Sequence, residues 1–201
     1  EGLLPNFKNA VWILAVIWVA YAVEMALRFF PAKLESMGCQ KQFKRNYKPK
    51  GVNIKPVNQS WKRTALVAAV WFLLNGVIGA LYFTNIIDKG ILIIIAIAYS
   101  VCDIICILFF CPFQTWFMKN RCCTTCRIFN WDHLMMFSPL IFVDGFYAKS
   151  LLWMSIGVFL LWEYRIMAYP ERFWEGSNEA LKCSSCTDKL CSQYCSKKRY
   201  D

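Results

Sequence analysis

Apolar positions along this chain gather into long blocks separated by polar stretches rich in lysine, arginine and cysteine. A helix needs roughly 20 apolar residues to cross ~30 Å of hydrocarbon, and several blocks meet that length. The first runs from Ala10 to Phe30, and Pro31 marks its exit because proline cannot continue a helix. Residues 32–63 are polar, and Pro49, Gly51 and Pro56 argue against a continuous helix there. A second block covers Thr64 to Ile87. The turn Asp88-Lys89-Gly90 leads directly into a third, Ile91 to Phe113, so the pattern predicts an antiparallel helical hairpin. After a polar stretch at 119–133, Leu134 to Ala148 is apolar but interrupted by Pro139, Asp144 and Gly145. Leu151 to Tyr169 reads as the final span, and residues 170–201 as a polar, cysteine-rich tail.

The expected fold is therefore an all-α integral membrane protein with about five transmembrane helices, or four plus a re-entrant segment. Its expected units are an N-terminal helix (1–31), a basic cytoplasmic loop (32–63), a hairpin (64–118), a cysteine-containing cytoplasmic loop (119–133), two further helices (134–169) and a cytoplasmic, metal-binding tail (170–201). Residues 1–9 lack a basic start, and no small-residue cleavage motif follows, so the first apolar block reads as a retained span.

Composition supports the membrane class: 58% of the 201 residues are hydrophobic and 17% aromatic. A net charge of +10 suggests nucleic acid in a soluble protein, but no nucleic-acid-binding signature accompanies it here. The charge instead sorts by side. The 32–63 loop, the 119–133 loop and the tail (with Arg165) hold 19 basic residues, against Lys8, Lys89 and Lys149 on the opposite side. Lysine and arginine excess marks the cytoplasmic face. All loops agree if Leu134 to Ala148 crosses the membrane, which puts the N-terminus outside.

Under that topology eight of the eleven cysteines face the cytoplasm, where thiols stay reduced and clusters of them serve metal or redox chemistry. They are Cys39, Cys122, Cys123, Cys126, Cys183, Cys186, Cys191 and Cys195. Cys123 to Cys126 and Cys183 to Cys186 are Cys-x-x-Cys pairs, and two such pairs can complete a tetrahedral site. Arg121, Arg127, Lys182 and Lys189 would lower the thiol pKa values and offset thiolate charge. The expected cofactor is an iron–sulfur cluster, with zinc as the alternative; an inverted topology would favour disulfides instead. Cys102, Cys106 and Cys111 lie in the third block, where packing is the plain reading and a thiol path for a soft metal the sharper one, given Met118, Met135 and Met136 near the same end.

Charged residues inside spans are costly and face partners or the bundle interior. Glu24 and Arg28, an i, i+4 pair, read as neutralising each other, and Glu163 and Arg165 as reaching for the interface. Asp103 and Asn75 are the remaining candidates for a functional role. A single histidine, His133, cannot supply bis-histidine haem ligation; it reads as an interfacial residue, a mixed metal ligand or a proton carrier near a quinone.

Three functions follow. The leading one is a membrane redox subunit passing electrons between a soluble partner and a membrane carrier or larger complex. The second is a structural or assembly subunit with a zinc knuckle, and the third a soft-metal transporter, weakened by the absence of repeated halves. The expected partners are the lipid bilayer and a protein docking through the basic 32–63 loop and the tail.

Overall fold

A computed structural model describes residues 11–31, 38–51, 61–120 and 125–182. The described residues are mostly helical, with five α-helices: α1 (Val11–Phe29), α2 (Trp61–Phe83), α3 (Lys89–Leu108), α4 (Asp132–Phe137) and α5 (Phe146–Ala168). Four of them, all but α4, are long and apolar enough to cross a membrane. Their outward faces carry large exposed apolar side chains such as Trp12, Phe72, Ile97 and Trp153. In water such a surface would be costly, and in a bilayer it is the normal exterior.

The helices share two ends. At one, Arg28 of α1 meets Asp132 of α4, Arg63 of α2 donates to the Met118 carbonyl at 3.1 Å, and Arg165 of α5 donates to the Phe29 carbonyl at 3.3 Å. At the other, Trp18 of α1 donates to Ser150 of α5 at 2.8 Å, and Lys89 of α3 pairs with Asp144 at 2.5 Å. These contacts make α1 and α5 parallel, and they carry the 132–144 segment from the Arg28 end to the Lys89 end.

That segment is not a continuous helix. Six residues of α4 pass into a 3₁₀ turn, Ser138–Phe142, before an extended Val143 and a Gly145 at φ 120°. Pro139 lacks the N–H that α-helical bonding requires, and the glycine takes a left-handed backbone that side chains resist. Irregular backbone at membrane depth survives only when protein covers it. Here Pro139, Leu140 and Val143 are buried, and Gly79 of α2 lies against the Phe142 ring. Side chains also take up the loosened carbonyls: Ser138 Oγ donates to Met135 at 2.9 Å and Lys149 Nζ to Ile141 at 2.7 Å.

Several boundaries differ from the sequence pattern. α2 begins at Trp61, three residues inside the basic segment, because Arg127 stacks over the Trp61 ring at 4.5 Å and Arg63 is anchored to Met118. It ends at Phe83, where Asn85 turns left-handed at φ 58° and Asp88 caps α3 by accepting from the Ile91 N–H at 2.9 Å. α3 stops at Leu108 rather than at Phe113. Pro112 follows, and a π-helical turn, Phe113–Met118, closes on a left-handed Lys119. α5 starts at Phe146, because Gly145 permits the reversal that opens it.

Residues 38–51 fold back beneath the Arg28 end. Gln40 Nε2 donates to the Leu27 carbonyl at 2.8 Å, and the Phe43 ring meets Trp162 edge-on at 5.3 Å. Asn178 holds this stretch to the start of the tail, donating from Nδ2 to Lys41 O at 3.1 Å and to Arg172 O at 2.9 Å. The basic loop is thus in part a packed floor: Cys39, Gln40, Lys41, Gln42 and Phe43 are buried.

Candidate functional site

At the Arg28 end, α2, α3, the π-helical turn and α4 leave a cavity of about 120 Å³ between them. Cysteines from three places line it: Cys102 and Cys106 on α3, Cys111 just beyond it, and Cys126 ahead of α4. Met135 and Met136 add thioethers, Asp103 and Asp132 add carboxylates, and Trp71, Tyr99, Phe113 and Phe129 supply aromatic walls. The α3 cysteines reach the same space because 102 and 106 are one helical turn apart, and the break at Pro112 brings the chain back over the helix end.

The thiols of Cys106 and Cys111 are neighbours at this cavity. The backbone N–H of Gln114 donates to Cys111 Sγ at 3.4 Å. The Cys106 thiol outweighs burial and, helped by the Gln114 N–H, brings the Cys111 thiol below its ordinary value, which favours the reactive thiolate.

Beside the cavity lies a buried charge network. Arg28 grips Asp132 through both nitrogens, and Asp132 Oδ1 is 3.1 Å from His133 Nδ1. His133 Nε2 in turn sits 3.7 Å from Glu24 Oε1. Across α5, Glu163 accepts from Arg127 at 2.6 Å and from the Trp131 indole at 2.8 Å.

No protein-family model, curated protein or solved structure matches this chain.

The chemistry is therefore read from the residues alone. Of the eight cysteines expected to ligate metal, the described residues include Cys39 and Cys126. The two lie in different places: Cys126 packs with Val67, Met118 and Ile128 at the cavity, whereas Cys39 belongs to the main core with Phe43 and Trp162. Burial pushes the Cys39 thiol above its ordinary range. Cys122, Cys123, Cys183, Cys186, Cys191 and Cys195 lie outside the described residues. Among the described residues, no group of three or more histidine, cysteine, aspartate or glutamate side chains is arranged to hold a metal ion.

Three readings of charged residues change. Arg28 is paired chiefly with Asp132, and Glu24 stands 3.9 Å away. His133 is a buried member of the network, beside Asp132 and Glu24. Glu163 and Arg165 turn inward, with the Arg165 guanidinium 4.5 Å from the Phe43 ring centre. The sequence held two local signals for this network, the i, i+4 pair Glu24 and Arg28 and the adjacent Asp132 and His133. Nothing local linked one pair to the other.

Proposed function

We propose that this chain is an integral membrane redox protein whose working groups are its cysteines at the Arg28 end of the bundle. The observation that carries this reading is that Cys102, Cys106, Cys111 and Cys126 line one cavity, with the Cys106 and Cys111 thiols as neighbours there. Thiols gathered beside aromatic walls at one end of a bundle suit electron exchange between a partner at that face and a carrier in the lipid. An iron–sulfur cluster on the Cys-x-x-Cys pairs of the 119–133 loop and the tail would feed the same end, with zinc in that place as the structural alternative. We also propose a fifth crossing by the 132–144 segment, an external N-terminus and cytoplasmic cysteine clusters. The link from Asp132 at one end to Asp144 at the other supports the crossing, and the basic-residue bias supports the orientation.

The test is anaerobic purification of the full chain in detergent, followed by metal and sulfide analysis, a visible spectrum and a reductive titration. Reversible electron uptake, by iron and sulfide or by thiols, upholds the redox reading. Zinc with no reversible electron uptake overturns it in favour of a structural knuckle.

A further inference from the structure

The cavity has features that the general redox reading leaves unused. Its volume of about 120 Å³ is on the scale of a single six-membered ring, since a cavity of about 150 Å³ accepts benzene. The walls are aromatic, and its lining includes Cys102 and Ile107, which are exposed on the surface of a candidate membrane span. A ligand arriving from the lipid would meet that side first. The Trp71 ring also lines the cavity, and its Nε1–H is buried with no acceptor in the structure. A buried donor without a partner is destabilising, and a ligand carbonyl would relieve that. Cys106 and Cys111 both line this cavity as neighbouring thiols.

We infer that Cys106 and Cys111 form a redox-active dithiol and that the cavity beside them takes the ring of a lipid-soluble quinone, which oxidises the pair. This rests on the redox reading above and names its substrate. Cys111, as thiolate, adds to the quinone ring. Cys106 then attacks the Cys111 sulfur, forming the S–S bond as the S–C bond breaks. The electron pair leaves with the ring, and the two thiol protons end on its oxygens. One dithiol and one quinone become one disulfide and one hydroquinone, and Trp71 holds a ring carbonyl by hydrogen bond during the exchange. The alternative occupant of a thiol-lined cavity, a soft metal ion, needs several ligands converging on one point. Among the described residues, no three histidine, cysteine, aspartate or glutamate side chains are so arranged.

The experiment uses the reduced full chain in detergent, mixed anaerobically with decyl-ubiquinone. The readouts are quinone absorbance and peptide mapping of alkylated cysteines. The expected result is quinone reduction accompanied by a Cys106–Cys111 disulfide, both lost in C106S and in C111S. W71F keeps the ring but not the donor, and should raise the quinone concentration for half-maximal rate about tenfold while sparing the maximal rate. It provides a second check if either cysteine variant fails to fold. Unchanged quinone reduction in C106S and C111S would overturn the inference while leaving the redox reading intact. So would a wild-type chain that takes up electrons reversibly but does not reduce the quinone. Tight binding of Cu(I) that protects both thiols from alkylation, with no quinone reduction, would assign the cavity to a metal instead.

Discussion

Arg28 and Asp132, 104 positions apart in the chain, meet as a bidentate ion pair with distances of 2.8 and 2.5 Å, and both side chains are almost wholly buried. The pair ties α1 to α4 and sets the end of the bundle at which the cysteine cavity lies. A guanidinium matches a carboxylate fork, which is why arginine suits this position better than lysine.

Removing one member strands the other as a buried charge. Arg28→Leu or Asp132→Leu should each destabilise the protein by about 3–5 kcal/mol, whereas the double replacement should cost clearly less than the sum. Thermal unfolding in detergent of the two single variants and the double variant measures this. Strictly additive losses would show that the pair is not coupled.

Gly79 permits the close approach of α2 to the irregular segment. A Cβ there would stand 3.0 Å from Phe142 Cζ. Gly79→Val should cost about 1–3 kcal/mol by overpacking, and Phe142→Leu in the same chain should recover part of it. Unfolding curves of the single and double variants decide this, and no recovery would place the strain elsewhere.

Topology is open to a direct test. Reporter fusions after residues 88 and 145 should report one side of the membrane, and fusions after residues 50, 120 and 169 the other. Opposite sides for 88 and 145 would mean that the 132–144 segment does not cross. Asp144→Ala should leave the reported sides unchanged, because its contact with Lys89 is exposed and solvent competes for it.

Much of this architecture is legible in the chain. The long helices follow their apolar blocks, because the cost of burying backbone polar groups in lipid forces helical hydrogen bonding along each block. The widest departures are the end of α3, at Leu108 where the pattern put Phe113, and the start of α5, at Phe146 where it put Leu151, since Tyr147, Lys149 and Ser150 blur that apolar edge. The break at Pro139 and Gly145 was visible as residue chemistry, but its outcome was not. A short apolar run can fold as a tilted helix, a re-entrant turn or the bent segment found here, and packing against α2, α3 and α5 selects among them.

The candidate site divides the same way. Sequence spacing singled out Cys-x-x-Cys pairs, because local motifs are what spacing reports. That Cys106 and Cys111 line one cavity depends on how α3 ends before Pro112, and their sharing it with Cys126 depends on where the chain returns. Arg28, Asp132 and His133 come together only because α1 and α4 share an end of the bundle. The sequence alone determined the membrane-spanning class and the approximate helices, since each follows from local hydropathy and composition. Only the tertiary structure decided which thiols share a cavity and which charges pair, since those contacts join segments that no local pattern connects.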